Sequence, residues 1–241
     1  MNFRPLPPQS SVPLPRSDPS EPLFMNLDLY IITDETIGRG RTHVEIAERA
    51  IAGGVDAIQL RDKFRSSGEM VRVGKTLREI THRSSTLFIV NDRLDVALAC
   101  GADGVHLGQG DLRTDVARQI APPGFIIGVS VSTPDEALQA EQEGADYVAL
   151  SPTFSTGSKA DAGPGHGLDI LREIRKNVTL PVIAIGGITR ENIREVFAAG
   201  ADGVAVISAV VGAADITVAA RDLKKLIRKY RGNSPRVPDQ P

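Results

Sequence analysis

The sequence predicts one α/β domain, a single (β/α)8 barrel of the TIM type, and three observations lead to this prediction. The chain has 241 residues, 41% of them hydrophobic and 24% charged, which suits one large soluble domain. A Gly-small-Asp pattern before an apolar segment occurs four times, starting at Gly54, Gly101, Gly144 and Gly200. Short apolar segments alternate with amphipathic helical stretches around these repeats, as expected for a parallel sheet covered by helices.

The spacing of the repeat indicates two strand-helix units in each interval. One strand, one helix and their loops need about 20–30 residues, whereas the repeats start at residues 54, 101, 144 and 200. A glycine that ends a helix just before a buried parallel strand explains the pattern physically. We therefore interpret these glycines and aspartates as structural groups at strand starts, and we expect chemistry at the opposite, carboxyl ends of the strands.

Filling in the alternate units gives eight predicted strands, separated by helical stretches such as HVEIAERAIAG, MVRVGKTLREITHR and ENIREVFAAG. An open, doubly wound sheet is the alternative, but it usually has fewer strands and does not explain a repeat at every second strand. The predicted strands span residues 28–33, 57–60, 87–90, 104–107, 126–130, 147–150, 182–185 and 203–207.

Both ends of the chain differ in composition from the predicted barrel. Seven of the 16 prolines lie in the first 22 residues, mixed with serine and charged residues. Such a segment buries too little apolar surface to fold alone, so we predict a disordered Pro-rich tail at 1–26 and another at 231–241. The barrel is then expected at 27–230. A Pro-rich ligand for another domain is the alternative interpretation of the first tail.

Composition and charge exclude several function classes. The 28 basic and 30 acidic side chains give a net charge of −2, so no strong field attracts nucleic acid or anionic lipid. No apolar run is long enough to span a membrane. A single cysteine, Cys100, excludes an internal disulfide and favours a cytoplasmic location. We expect small-molecule partners rather than nucleic acid or membrane, and a homo-oligomer is compatible with the sequence.

Cationic and acidic side chains follow the second, third and fourth predicted strands. Side chains alternate along a strand, so Gln59, Arg61 and Lys63 share one face and form a candidate oxyanion clamp. Asp92 and Asp111 follow the next two strands, where carboxylates can hold Mg²⁺ together with a diphosphate. The alternatives are a solvated strand end for the cations and helix N-caps for the two aspartates.

A second anion site is predicted on the opposite side of the barrel mouth. Residues 151–159 form a long loop of small and hydroxyl residues that ends in Lys159, and a plain flexible loop is its alternative. Gly186 and Gly187 follow the seventh strand and Ser208 follows the eighth, which is the usual phosphate-binding position in this barrel. Together the two sites suggest that a diphosphate leaving group ionises and a second, phosphorylated substrate captures the cation.

Three further groups of side chains receive structural interpretations. His106 lies inside the fourth strand and is expected to be a satisfied core histidine, whereas His43 and His82 lie on helices and His166 in the long loop. Cys100 ends a helix and is expected to be a buried thiol. The basic residues of the last helix are expected to form a solvated face; they are Lys224, Lys225, Arg228 and Lys229.

Five motifs resemble the thiamine phosphate synthase family, in its order and spacing and across nearly the whole predicted barrel. They are QLRDK at 59–63, VNDR at 90–93, GVHLGQGD at 104–111, the loop that ends in Lys159, and AIGGI at 184–188. The resemblance implies a transferase of thiamine biosynthesis, EC 2.5.1.3. It would condense 4-amino-2-methyl-5-(diphosphooxymethyl)pyrimidine (the pyrimidine diphosphate) with 4-methyl-5-(2-phosphooxyethyl)thiazole (the thiazole phosphate), giving thiamine phosphate and diphosphate.

The resemblance also implies roles for individual residues, with Mg²⁺ as the cofactor. Asp92 and Asp111 would hold Mg²⁺, and catalysis would involve Arg61, Lys63, Ser130 and Lys159. The thiazole phosphate would contact Thr156, Gly157, Ser158, Gly187, Ile207 and Ser208. The pyrimidine diphosphate would contact Gln59, Leu60, Arg61, Asp62, Lys63, Asn91, Ser130 and Lys159.

The sequence departs from the family in one informative place. The family usually has Thr-Pro-Thr before the loop lysine, whereas this chain has Thr156-Gly157-Ser158, so we expect a looser loop and weaker affinity for the thiazole phosphate. Two rival functions are a thiazole phosphate tautomerase on a related barrel and a non-catalytic phosphate-sensing barrel. Neither rival needs the complete set of cations and carboxylates around a diphosphate.

Overall fold

The computed structural model describes residues 26–158 and 163–231, which form a closed barrel of eight parallel strands. Each strand pairs with the next along the chain, and the first pairs with the last through partners such as Tyr30 and Ala205. The predicted bounds differ from the observed ones by no more than one residue at either end. The strands are β1 Leu29–Ile32, β2 Ala57–Leu60, β3 Leu87–Asn91, β4 Gly104–Leu107, β5 Ile126–Val131, β6 Tyr147–Leu150, β7 Val182–Ile185 and β8 Gly203–Val206.

Helices follow the strands and cover the outside of the barrel, so the strands are buried on both faces. This explains their nearly continuous apolar character, as in the VIAI sequence of β7. The first two helices begin with capping boxes formed by Thr42 with Glu45 and by Ser66 with Glu69. The helices are α1 His43–Ala52, α2 Ser67–Arg83, α3 Leu94–Cys100, α4 Thr114–Ile120, α5 Pro134–Gln142, α6 Gly167–Asn177, α7 Ile193–Ala198, the short α8 Ser208–Val211, and α9 Ile216–Arg231.

The structure confirms that the repeated glycines and aspartates are structural. All four glycines have a positive φ, with values of 88° at Gly54, 69° at Gly101, 92° at Gly144 and 99° at Gly200. Each aspartate accepts a hydrogen bond from a backbone N–H near the start of the preceding strand. The pairs are Asp56 with Leu29 at 2.8 Å, Asp103 with Phe88 at 2.8 Å, Asp146 with Ile127 at 2.7 Å and Asp202 with Val182 at 2.8 Å.

A cation from a helix also pairs with each of these aspartates. Arg78, Arg118 and Arg175 reach their carboxylates at 2.7, 2.5 and 2.8 Å, and Lys224 contacts Asp56 in the same way. The prediction that Lys224 lies on a solvated face is therefore wrong. Lys224 is 5% exposed because α9 turns it inward onto Asp56 and Asp28, while Lys225 next to it is exposed.

The predicted tails lie almost wholly outside the described residues. The exceptions are Asn26 and Arg231, which the prediction placed in the tails; Arg231 is the last residue of α9 and donates to Asn26 at 3.3 Å. Cys100 is a buried thiol at the end of α3, as predicted. Within the described ranges, the longest helices are too short or too polar to cross a bilayer.

Candidate active site

Most of the predicted site residues line one cavity of about 480 Å³ at the carboxyl ends of the strands. This is the face on which barrels of this kind carry their active sites. The cavity therefore brings both predicted anion sites into a single space. Of the predicted residues, those that line it are Arg61, Lys63, Asn91, Asp92, Asp111, Ser130, Thr156, Ser158, Gly187, Ile207 and Ser208.

Two cations line the cavity where the chain leaves β2. Arg61 is largely buried, and its Nη1 atom donates to Oδ2 of Asp34 at 3.3 Å. That contact gives a role to the loop after β1, because the Asp34 carboxylate holds the guanidinium through an ion pair. Lys63 also lines the cavity and is exposed to solvent. A planar guanidinium and a point-charge ammonium at one edge suit a diphosphate.

Two carboxylates line the same end of the cavity. Asp92 has a φ of 62°, a conformation that few non-glycine residues adopt, and its N–H donates to the His106 carbonyl at 2.8 Å. One oxygen of Asp111 accepts from the Gly108 N–H at 2.7 Å. Neither aspartate is a helix N-cap, since α3 and α4 begin after Arg93 and Arg113. The N-cap alternative therefore does not describe these two residues.

The other side of the cavity is made of hydroxyls and backbone groups. Ser158 Oγ donates to Ser208 Oγ at 3.2 Å, which joins the long β6–α6 loop to the end of β8. The Ser158 N–H donates to Oγ1 of Thr156 at 3.2 Å. These neutral donors, close to exposed backbone, suit a phosphate monoester better than a metal-bound group.

The two glycines after β7 are required by the fold itself. Gly186 and Gly187 have φ values of 93° and 65°. A Cβ on Gly187 would lie 2.7 Å from the Cβ of Phe154 in the β6–α6 loop. The sequence places this glycine at a predicted phosphate-binding position, and the structure adds a second reason for glycine there, since the neighbouring loop already excludes a side chain.

Five predicted site residues are not placed in the cavity lining. Gln59 and Leu60 are almost fully buried in β2, and Asp62 and Gly157 belong to loops at the rim. Lys159 lies outside the described residues.

Asp62 contacts a neighbouring set of polar side chains. Its carboxylate accepts from the Phe64 N–H at 2.8 Å, the Arg65 N–H at 2.9 Å, Arg65 Nη1 at 3.1 Å and His43 Nε2 at 3.0 Å. Burial raises the pKa of Asp62, but the hydrogen bonds from His43, Phe64 and Arg65 outweigh burial, and the pKa is lowered overall. The carboxylate is therefore held ionised to shape the loop that carries Arg61 and Lys63.

The same network includes a group of three potential metal ligands among the described residues, Glu35, His43 and Asp62, whose ligand atoms lie within 4.8 Å of one another. Arg65 Nη2 donates to both oxygens of Glu35, at 3.1 and 2.9 Å, and Nη1 donates to Asp62. His43 Nδ1 lies 2.7 Å from Oγ1 of Thr33. A cation is thus already supplied by Arg65, and the cluster is an ion-pair network.

Among the cavity residues that were not predicted as ligand contacts, three carry polar side chains outside the loop at 151–159. His106, Gln109 and Ser132 line the cavity, and Gln109 Nε2 donates to the Ser130 carbonyl at 2.7 Å. The signal in the sequence that could have identified these residues is their position, since all three lie at or near the carboxyl ends of β4 and β5. His106 is buried with both ring nitrogens in contact with hydroxyls, as predicted for a satisfied histidine, yet it also faces the cavity.

Comparisons with known proteins match this architecture and these motifs. The family model described as thiamine monophosphate synthase matches residues 29–210. A thiamine-phosphate synthase from Methanoregula boonei is 64% identical over 203 residues, covering 84% of this chain and 94% of that protein. One from Methanoculleus marisnigri is 62% identical over 203 residues, covering 84% and 96%.

A solved structure gives the same result in three dimensions. Thiamine phosphate pyrophosphorylase from Pyrococcus furiosus superposes with a TM-score of 0.79 at 47% identity, covering 86% of this chain and 98% of that one. Sequence, fold and motif order therefore agree over almost the whole described barrel. The chain belongs to the thiamine monophosphate synthase family.

Proposed function

We propose that this transferase forms thiamine phosphate in the barrel-mouth cavity, from the pyrimidine diphosphate at one side and the thiazole phosphate at the other. Membership of the family makes the chain a thiamine-phosphate-forming enzyme; the proposal adds where and how. The observation that carries it is a single cavity with cations and carboxylates at one end and glycines and hydroxyls at the other.

The pyrimidine diphosphate occupies the end formed by β2, β3 and β4 in this proposal. Arg61 and Lys63 bind the diphosphate, and Asn91 and Ser130 line the adjoining wall. Gln59, Leu60 and Asp62 support this end from the strand and loop beneath it, rather than through side chains in the cavity lining. Lys159 would add a third cation from the β6–α6 loop.

The residues at this end also fit Mg²⁺. Asp92 and Asp111 both line the same cavity, and two protein carboxylates leave room for water and phosphate oxygens, as Mg²⁺ prefers. The unusual backbone conformation of Asp92 supports a functional position for its carboxylate. When bound, Mg²⁺ neutralises charge on the diphosphate.

The thiazole phosphate occupies the end formed by β7, β8 and the β6–α6 loop. Thr156, Ser158 and Ser208 offer hydroxyls, and Gly187 and Ile207 offer backbone close to them. Gly157, between the two hydroxyl residues, completes this strip of the loop. The phosphate of the second substrate is thereby kept away from the cations that bind the first.

The reaction then proceeds by loss of the leaving group followed by capture. The C–O bond to the diphosphate breaks, and the electron pair leaves with the diphosphate, whose charge Arg61 and Lys63 stabilise. The 4-amino group of the pyrimidine supports the resulting cation at the exocyclic carbon. The thiazole nitrogen forms the new C–N bond with its lone pair, so the attack needs no general base.

The test mixes the purified full-length chain with both substrates and Mg²⁺, and measures thiamine phosphate by thiochrome fluorescence and released diphosphate in parallel. We expect equal amounts of the two products, with formation abolished without Mg²⁺. Binding of the thiazole phosphate without either product would replace the proposal with the tautomerase or the phosphate-sensing barrel. Isomerisation of the thiazole phosphate would then identify the tautomerase.

A further inference from the structure

A chain of hydrogen bonds runs from the interior of the barrel to the cavity. Gln59 Nε2 donates to Tyr30 Oη at 2.7 Å, and Tyr30 Oη lies 3.3 Å from Tyr147 Oη. Tyr147 Oη lies 2.9 Å from His106 Nδ1, and His106 Nε2 lies 2.9 Å from Ser130 Oγ. Ser130 lines the cavity, so the chain ends where the pyrimidine diphosphate is proposed to bind.

Packing holds this chain in one arrangement. Tyr30, Tyr147 and His106 are all buried, and the rings of His106 and Tyr147 stack with centroids 5.6 Å apart. Gly128 on β5 makes room for the phenol, because a Cβ there would lie 1.9 Å from Cζ of Tyr147. The absence of a side chain at Gly128 thus allows Tyr147 to lie beneath His106.

The protons available on the two tyrosines determine which group donates in each of these hydrogen bonds. Burial raises the pKa of both tyrosines, so each hydroxyl keeps one proton to donate. Tyr30 Oη already accepts from Gln59, and among the described residues the acceptor left for its own proton is Tyr147. The proton of Tyr147 is then directed to Nδ1 of His106. The reverse order would leave a buried donor on Tyr30 without an acceptor, which is costly.

This direction determines the protonation of His106. A ring nitrogen that accepts a hydrogen bond carries no proton, so Nδ1 is bare and the neutral ring has its proton on Nε2. Nε2 therefore donates to Ser130 Oγ, and the proton of Ser130 is turned away from His106. Since Ser130 lines the cavity, its hydroxyl is left to donate to a ligand there.

We propose that Tyr147 is a positioning residue that fixes His106 in the Nε2–H tautomer and thereby makes Ser130 a hydrogen-bond donor to the pyrimidine diphosphate. The identity of the ligand rests on the proposed function, whereas the tautomer does not. The acceptor is an oxygen of the diphosphate or a nitrogen of the pyrimidine ring. Both are acceptors without a proton of their own at neutral pH, so both select for a donor at Ser130.

The tautomer is tested on the full-length protein without substrates. We expect the ¹⁵N spectrum of histidine-labelled protein at pH 7 to show His106 neutral and protonated at Nε2, assigned by comparison with His106→Gln. A ring protonated at Nδ1, or at both nitrogens, would overturn the proposal. Tyr147→Phe removes the proton donated to Nδ1 and should change this signal. The matched variant Tyr230→Phe, on α9, should leave it unchanged.

Kinetics test the link from Tyr147 to Ser130. Loss of one hydrogen bond to the ligand predicts that Tyr147→Phe and Ser130→Ala each raise the KM for the pyrimidine diphosphate by at least about twofold. Because Tyr147 acts through Ser130, the double variant should be no worse than Ser130→Ala. Multiplied effects, or an unchanged KM in correctly folded Tyr147→Phe, would contradict the proposal. Thermal melting establishes folding, and the wild-type tautomer decides the matter if the variant does not fold.

Two inhibitors identify the acceptor. Inorganic diphosphate carries only the leaving group, and 4-amino-5-hydroxymethyl-2-methylpyrimidine carries only the ring. Ser130→Ala should weaken the inhibitor that receives the hydrogen bond by about two- to tenfold and leave the other unchanged. Equal inhibition of wild type and variant by both compounds would overturn donation by Ser130. If the purified protein made no thiamine phosphate, the proposed function would be refuted, but the tautomer measurement would still test the state of His106.

Discussion

The carboxylate of Asp62 lies 3.0 Å from Nε2 of His43, and neither side chain is among those that line the cavity. Asp62 stands between Arg61 and Lys63 in sequence, and both of these neighbours do line it. The side chains of the loop after β2 thus have two different roles. Alternate side chains face the ligand, and the aspartate between them fastens the loop to α1.

Asp62→Asn is expected to raise the KM for the pyrimidine diphosphate and to lower the free energy of unfolding at pH 7 by about 2 kcal/mol, since charge-assisted hydrogen bonds are lost. The folded pKa of Asp62 lies below its ordinary value of about 3.9. The stabilisation is therefore fully present above about pH 4 and is lost as pH falls through the folded pKa. Urea unfolding of both proteins at several pH values measures it.

Convergence of the two unfolding free energies below pH 4 is the expected signature of Asp62. A constant difference between wild type and variant from pH 7 to pH 3 would show that the ionised carboxylate is not the stabilising species. The Asp169→Asn variant is the control, because that carboxylate is exposed and its ion-pair partner among the described residues is its helical neighbour Arg172.

Lys224→Met is expected to lower the free energy of unfolding by about 3 kcal/mol, because it removes the buried cation that pairs with both the buried Asp28 and the half-buried Asp56, while Asp28 retains its contact with Arg231. Lys225→Met removes an identical side chain from the exposed face of the same helix and should change stability by less than about 0.5 kcal/mol. Denaturant melts of the two variants make the comparison. Equal stabilities would refute the structural role of the buried lysine.

Gly157→Pro restores the residue usual in the family and is expected to lower the KM for the thiazole phosphate by about two- to fivefold, through a stiffer loop. Space for a side chain is available, since a Cβ on Gly157 would meet no atom of the described residues within 4 Å. Steady-state kinetics with the thiazole phosphate varied provide the measurement. An unchanged KM would mean that the flexibility of this loop does not limit binding.

Asp92→Asn and Asp111→Asn are each expected to raise the Mg²⁺ concentration required for half-maximal activity by at least about tenfold. The backbone should tolerate both changes, because asparagine adopts the left-handed conformation of Asp92 readily. Activity across a Mg²⁺ titration tests this. Wild-type metal dependence in both variants would remove these aspartates from the metal site. Asp115→Asn, half-buried at the start of α4 and paired with Arg113, is the matched control.

The order of strands and helices could be predicted because each parallel strand is buried on both faces and therefore has an apolar sequence. The repeated glycines also marked the strand starts, because the turn before each of these strands needs a residue with a positive φ. The inward turn of Lys224 could not be predicted, because its partners Asp28 and Asp56 lie far away in sequence. A periodic basic helix gives no sign of such contacts.

The cavity residues could be predicted where they follow strand ends, as do Asp92 and Asp111. Alternation beyond β2 also separated Arg61 and Lys63 from Asp62, although the family resemblance grouped all three as ligand contacts. It could not be predicted that His106 is both a buried, hydrogen-bonded histidine and part of the cavity lining. This arrangement depends on Tyr147 from β6 and Ser130 from β5, and only the closed barrel brings these side chains together.

The central claim is that one cavity holds two anion sites with separate residues, and paired kinetics test it most directly. The experiment measures both KM values in Arg61→Met and in the Ser158→Ala, Ser208→Ala double variant. The account predicts that the first raises only the KM for the pyrimidine diphosphate and the second only that for the thiazole phosphate. If both proteins raise the same KM, or if the two effects are reversed, the account of the site is contradicted.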